Sequence, residues 1–85
     1  MTTAEELFGK KYEKGEVVFK EGDSGDTMFV VQSGEVEISR IRDDRKLILA
    51  VLKRGEFFGE MALMDNQPRS ATATVVRKSR LLPIS

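Results

Sequence analysis

The sequence lacks the side chains on which most enzyme and metal chemistry depends. Its 85 residues include no histidine, no cysteine and no tryptophan. Without cysteine there are no disulfides, no thiolate-bound zinc and no thiol nucleophile. Without histidine the commonest general base and the commonest metal ligand are missing. We therefore expect a protein that is not an enzyme, with no catalytic residue, no metal site and no catalytic cofactor.

The chain also lacks an excess of charge of either sign and any long apolar run. Its 14 basic and 14 acidic side chains cancel, so no long-range field attracts a nucleic-acid backbone or an anionic membrane. The longest apolar run covers residues 47–52, far below the roughly 20 residues of a membrane span. Glu5 and Glu6 stand where a secretory signal would be basic. These features predict a cytoplasmic protein without direct nucleic-acid or membrane binding.

The length allows one small domain, because a second core would need roughly 50 residues of its own. We predict a single domain over residues 1–85. Thr3 and Glu6 have the spacing of a capping box, which predicts a short N-terminal helix over residues 1–13. Gly9 lies inside this stretch and limits the length of the helix.

After this helix, short apolar runs alternate with turn residues. Ser33-Gly34 predicts a tight reversal. Turn signals at intervals of roughly ten residues, with no long amphipathic segment between them, are typical of an all-β sandwich or barrel. The expected strands are residues 17–19, 27–31, 35–39, 46–52, 71–76 and 80–84.

Two polar clusters have a structural and a functional interpretation. Gly22 and Gly25 resemble a phosphate loop, but no helix follows them, so a hairpin turn is favoured. The basic cluster of Arg40, Arg42, Arg45 and Lys46 surrounds Asp43-Asp44. We interpret this cluster as a solvated hairpin tip rather than a partner site.

The segment 57–72 interrupts the β pattern and carries the chemistry. Gly59 allows close approach to the backbone, Glu60 supplies a carboxylate acceptor, and a single helical turn over residues 60–64 would expose backbone amides at its start. Arg69 can hold a phosphate through two parallel hydrogen bonds, Ser70 adds a hydroxyl, and the small Ala71 and Thr72 leave room. A molecule that carries both a sugar hydroxyl and a phosphate could bind Glu60 and Arg69 together. This describes a nucleotide whose ribose and phosphate lie close together. The alternative is an ordinary surface ion pair between Glu60 and Arg69.

Phe-Gly-Glu-Met-Ala-Leu, then four residues, then Pro-Arg-Ser-Ala-Thr resembles the phosphate-binding cassette of cyclic nucleotide-binding domains. This family includes the catabolite activator protein and the regulatory subunits of cAMP-dependent protein kinase. Residues 14–19, 21–26 and 29–36 resemble the first hairpins of the same domain. The resemblance implies a jelly-roll β-barrel or sandwich, a cupin-like double-stranded β-helix, over residues 14–85. It implies a one-turn helix in the cassette 57–72.

The same resemblance implies a role for each site residue. Glu60 would accept the ribose 2′-hydroxyl, and Gly59 would let the sugar lie against the backbone. Backbone amides near Ala62 and Leu63 would join Arg69 on the phosphate. Ser70 matches the catabolite activator pattern, which favours cAMP over cGMP as the ligand. The remaining ligand-binding positions are Met61, Ala71 and Thr72, and Leu63 and Val76 would line the apolar side.

The family continues after its last strand with helices that cover the base and pass the signal on, and this sequence ends at Ser85. We therefore expect the C-terminal lid helices to be absent, an open base end, weaker affinity and an uncovered apolar surface through which a homodimer could form. The output domain is not identified. Two alternatives remain: a degenerate family member that acts as a protein-interaction module without ligand, and a cupin-like enzyme, which usually requires histidine ligands.

Overall fold

The fold is an antiparallel β structure with a short N-terminal helix. The computed structural model describes residues 4–60 and 67–85. The helix is α1 (Ala4–Phe8), and the strands are β1 (Lys10–Tyr12), β2 (Val17–Phe19), β3 (Met28–Arg42), β4 (Arg45–Leu52), β5 (Phe57–Phe58) and β6 (Thr72–Ile84). Each strand pairing is antiparallel. The all-β expectation is confirmed.

Two long strands, β3 and β6, form the centre of the fold and pair along most of their lengths. At one end of the β3–β6 pair, β1 pairs with β6 and β5 pairs with β3. At the other end, β2 pairs with β6 and β4 pairs with β3. One core joins the two ends, with Val31 and Leu81 from the first and Val36 and Val75 from the second. The two halves therefore pack against each other as in a sandwich.

The reversal expected at Ser33-Gly34 is wrong, because β3 runs through these residues without turning back. Its register against β6 shifts between Val31 and Val36, and Gly34 has φ +91°. A glycine in this conformation suits a bulge as well as a turn. Residues 71–76 and 80–84, expected as two strands, likewise belong to the one long strand β6 apart from Ala71.

The N-terminal helix is shorter than expected. It ends at Phe8, and Lys10–Tyr12 is a strand paired with residues 79–81, so the helix does not extend through residues 1–13. Gly9 is buried with φ +83°, a conformation that takes the chain out of the helix. The Arg80 guanidinium donates from Nη1 to the Phe8 carbonyl at 3.1 Å, which satisfies one helix-end acceptor. The capping contact expected from Thr3 lies outside the described residues.

The hairpin between β3 and β4 has the two-residue turn that the sequence predicts. Asp43 and Asp44 have φ of 53° and 61°, and Arg42 pairs with Arg45 across the turn, as in a type I′ hairpin. Arg42 forms an ion pair with Glu21. Across the described ranges, no helix is long and apolar enough to cross a bilayer.

Candidate functional site

A cavity of about 250 Å³ lies between the β4 side of the sandwich and residues 57–60 and 68–71, which belong to the described parts of the 57–72 segment. Aromatic and aliphatic side chains form most of its wall, and the polar groups are concentrated on the segment itself. This combination is typical of a small-molecule site. The described lining residues are Phe19, Ile38, Ala50, Leu52, Phe57, Phe58, Gly59, Glu60, Pro68, Arg69, Ser70 and Ala71.

The structure brings five of the predicted site residues to this cavity: Gly59, Glu60, Arg69, Ser70 and Ala71. The Thr72 hydroxyl instead accepts a hydrogen bond from the Glu21 backbone N–H at 2.9 Å, and this side chain lines a separate open groove. Val76 is also not among the cavity's lining residues. The predicted residues Met61, Ala62 and Leu63, with the one-turn helix expected there, lie outside the described residues.

Arg69 is the central residue of the site. It is 7% exposed, and its guanidinium donates from Nη2 to the Thr27 carbonyl at 2.8 Å and from Nη1 to the Gly59 carbonyl at 3.3 Å. The guanidinium carbon lies 4.1 Å from the centroid of the Phe19 ring, in cation–π contact. Within the described part of the chain, Nε is buried without a hydrogen-bond partner. An unpaired buried donor on a cation is unfavourable, and an anionic acceptor would satisfy it.

The backbone of Arg69 is fixed by the turn that follows β2. The Arg69 N–H donates to the Asp23 carbonyl at 2.8 Å, and the Gly22 N–H donates to the Arg69 carbonyl at 2.8 Å. The Gly22/Gly25 cluster is therefore a turn that positions Arg69, in agreement with the structural interpretation of its sequence.

Burial also changes the electrostatics of Arg69. Desolvation lowers the pKa of the guanidinium from its ordinary value, and the negative charges of Asp26 and Asp23 act in the opposite direction. Among the described residues, no carboxylate forms an ion pair with Arg69. The alternative of an ordinary Glu60–Arg69 surface pair is therefore wrong. The cation lies beside a cavity, and none of the described carboxylates forms an ion pair with it.

Two glycines make room for the guanidinium. A methyl group at Gly25 would lie 2.7 Å from Nη2 of Arg69, and one at Gly59 would lie 2.9 Å from Nη1. Sequence reasoning identified Gly59 but missed Gly25, Thr27 and Phe19 as parts of the site. The only signal in the sequence was a glycine in a polar turn, which does not show that Arg69 packs against it.

Ser70 is held by the β3–β4 hairpin. The Arg40 side chain donates from Nε to the Ser70 carbonyl at 2.8 Å, so one arginine of the basic cluster has a structural role beside the cavity. The site as a whole offers a carboxylate on Glu60, a cation on Arg69 and an apolar wall. No cluster of histidine, cysteine or carboxylate side chains suited to a metal occurs among residues 4–60 and 67–85.

Comparisons with known proteins identify a family for this chain. The family model of the cyclic nucleotide-binding domain matches residues 9–85. The chain is 36% identical over 72 residues to the cAMP-dependent protein kinase type II regulatory subunit of Drosophila melanogaster, covering 85% of this chain and 19% of that protein. It is 40% identical over 68 residues to a cGMP-dependent protein kinase of Eimeria tenella, covering 80% of this chain and 6% of that protein.

Solved structures give the same result. The regulatory domain of Toxoplasma gondii PKA, in a co-crystal structure with cAMP, has a TM-score of 0.86 and 38% identity and covers 89% of this chain and 29% of that chain. Among the curated relatives, the Drosophila regulatory subunit is about five times as long as the segment that this chain matches. The match over residues 9–85 and the shared β-barrel fold show that this chain belongs to the family of cyclic nucleotide-binding domains.

Proposed function

We propose that the chain is a non-enzymatic sensor module that binds cAMP in the cavity beside Arg69. The observation that carries this proposal is the buried guanidinium, whose Nε lacks a partner among the described residues. A cyclic phosphate supplies the acceptor oxygens and negative charge that this group lacks. The apolar wall of Ile38, Leu52 and Phe58 gives the nucleoside a surface from which water is excluded.

The two ends of the site have different roles in this proposal. Arg69 binds the phosphate through charge-assisted hydrogen bonds, and Glu60 accepts one from the ribose 2′-hydroxyl. Gly59 and the backbone amides near Ala62 and Leu63 complete the contacts to sugar and phosphate. Glu60→Ala should weaken cAMP binding less than the loss of Arg69. Without Glu60 the neutral ribose 2′-hydroxyl can still bind water, whereas without Arg69 the charged phosphate loses its cationic partner.

The choice of cAMP over cGMP depends on Ser70, which lines the cavity and matches the catabolite activator pattern. The family includes proteins named for either nucleotide, as the Drosophila and Eimeria relatives show. Parallel calorimetric titrations with cAMP and cGMP test the choice. We expect tighter binding of cAMP, and equal affinities or tighter cGMP binding would contradict it.

The site assignment is tested by Arg69→Ala and Arg69→Lys, with the exposed Arg54→Ala as control. We expect Arg69→Ala to lower cAMP affinity by at least about 100-fold, roughly 3 kcal/mol, and Arg69→Lys to keep part of it because the charge remains. Arg69→Ala should also lower the free energy of unfolding by about 1–3 kcal/mol, since the carbonyls of Thr27 and Gly59 lose a donor.

Circular dichroism and thermal melts must therefore accompany the titrations, to show that each variant is folded at the temperature used. Normal cAMP binding by folded Arg69→Ala would contradict the site. If the wild-type chain shows neither heat nor a thermal shift with either nucleotide, the degenerate protein-interaction module becomes the better explanation.

A further inference from the structure

Strand β4 is exposed in a way that its composition does not predict. The run over residues 47–52 is apolar at each position, and such strands are usually buried on both faces. Here Leu47, Ile48 and Leu49 are 47%, 58% and 51% exposed. The register of β4 against β3 shifts at Leu49, which lies opposite no single residue of β3, as in a bulge. Leu47 and Ile48 precede this bulge, and neighbouring side chains on a strand point to opposite faces, so apolar surface is accessible on both sides of β4.

The outer backbone edge of β4 is also available within the described part of the molecule. β4 is the last strand in the sheet order and pairs with β3 alone. An apolar edge strand is a ready template for another strand, and proteins usually protect such edges with charges, proline or a covering element. A bulge can also protect an edge, and β4 has one at Leu49. No charge or proline interrupts the strand between Leu47 and Leu52, and Leu47 and Ile48 stay exposed beside the bulge.

The ends of β4 are basic. Arg45 and Lys46 precede the apolar run, and Lys53 and Arg54 follow it. Lys46 pairs with Glu37, whereas Arg45, Lys53 and Arg54 are exposed and form no ion pair among the described residues. Asp43, Asp44 and Glu56 lie just beyond these residues, so the basic groups are the charges closest to the apolar run.

This charge pattern disfavours a second copy of the chain at the edge. An antiparallel β4–β4 pairing that overlaps the whole apolar run places Lys46 opposite Lys53 and Arg45 opposite Arg54, and its symmetry repeats both contacts. Like charges directly opposite each other destabilise strand pairs. A strand with acidic residues at its two ends would instead face a basic residue at each end.

We propose that the edge of β4 binds an extended segment of a partner protein, with apolar residues at its centre and acidic residues at both ends, by strand addition. Backbone hydrogen bonds to β4 would give affinity, and the flanking charges would set register and partner choice. This edge adjoins the nucleotide site, because Ala50 and Leu52 of the same strand line the cavity, whereas the Leu49 and Lys53 side chains are not among its lining residues.

The test uses two labelled synthetic peptides in fluorescence anisotropy. Both have a centre of alternating valine and threonine, one with two glutamates at each end and the other with two lysines. We expect the wild-type chain to bind the glutamate peptide at least about tenfold tighter than the lysine peptide. Equal affinities, or no binding of either peptide, would overturn the proposal.

Two variants of the chain locate the contact. Leu49→Lys places a charge on the apolar edge and should abolish peptide binding, whereas Leu7→Lys, at a position 60% exposed on α1, should not. The double variant Lys53→Glu with Arg54→Glu should reverse the preference toward the lysine peptide. Unchanged preference would overturn the role of the flanking charges.

Two further measurements separate this proposal from its alternatives. Calorimetry should show unchanged cAMP affinity in Leu49→Lys, so that failure of peptide binding is not confused with failure of the nucleotide site. Analytical ultracentrifugation should show a monomer. A wild-type dimer that Leu49→Lys dissociates would overturn the proposal in favour of a second copy at this edge.

Discussion

Arg69 and Gly25 are far apart in the sequence, yet the position of the guanidinium depends on the missing side chain at Gly25. A methyl group there would lie 2.7 Å from Nη2, closer than non-bonded atoms can approach. Gly25 is not among the glycines with positive φ, so alanine is acceptable to the backbone at this position. The atom that would have to move is the end of a flexible side chain rather than backbone.

Gly25→Ala should therefore separate the function of Arg69 from its contribution to stability. We expect the free energy of unfolding to change by less than about 1 kcal/mol. We expect cAMP affinity to fall about tenfold or more, because a displacement of the guanidinium by a fraction of an ångström misplaces its donors. Calorimetry and chemical denaturation measure the two quantities. Ser24→Ala, in the same exposed turn, should change neither, and an unchanged affinity in Gly25→Ala would contradict this account.

At the residue scale, the sequence was informative where the site is local. Gly59, Glu60, Arg69, Ser70 and Ala71 were predicted from one short segment, and the structure brings them to one cavity. Thr27 and Phe19 were not predicted, because their contacts with Arg69 depend on how distant strands pair. Thr72 was expected to bind ligand, and its hydroxyl instead accepts from the Glu21 backbone.

Among the elements, β3 and β6 connect the two halves of the sandwich, and the irregular region near Gly34 is where β3 changes register. The Ser79 hydroxyl is buried there, accepts from the Glu35 N–H at 3.1 Å and donates to the Arg77 carbonyl at 2.5 Å. A methyl group at Gly34 would lie 2.5 Å from the Lys78 carbonyl oxygen and 2.6 Å from the Ser79 Cα. Both are backbone atoms, which cannot move aside without disturbing β6.

Gly34→Ala should therefore be strongly destabilising, by about 2–4 kcal/mol in the free energy of unfolding. Gly15→Ala is the matched control: Gly15 has φ +94°, but no atom lies within 4 Å of the added methyl group. That variant should lose only about 1–2 kcal/mol from backbone strain. Urea denaturation measures both. Similar losses in the two variants would show that φ, and not the close approach of β6, determines the effect.

The elements were partly predictable. The hairpin at Asp43-Asp44 followed from turn chemistry, because two residues that tolerate positive φ stand between two strand patterns. The reversal expected at Gly34 was wrong because positive φ does not distinguish a turn from a bulge. The exposure of β4 was also not predictable, since an apolar run indicates a strand but not its place at the edge of a sheet.

At the scale of the whole molecule, a small domain has a thin margin of stability, because it buries only about 60% of its unfolded surface. Ligand binding to the folded state alone should therefore have a large effect on melting temperature. At 100 times its dissociation constant a ligand adds ~2.7 kcal/mol, and 1 kcal/mol shifts the midpoint by roughly 4–8 °C for a domain of this size.

We accordingly expect saturating cAMP to raise the melting temperature by roughly 10–20 °C, as measured by differential scanning calorimetry. Folded Arg69→Ala, with affinity lowered at least about 100-fold, should shift by no more than about 3 °C at the same concentration, and Arg54→Ala should shift as the wild type does. A similar rise in Arg69→Ala would place the stabilising contact elsewhere on the molecule.

The pairing of β1 with β6 sets Lys10 directly beside Leu81, so the first and last strands of the fold are neighbours. Segments whose ends are this close can be inserted into a surface loop of another protein without forcing that loop apart. The two-residue turn at Asp43-Asp44 offers a place where the chain could be reopened in a circular permutant. The domain is thus suited to engineering as an insertable module, in which nucleotide binding stabilises the connection between two parts of a host.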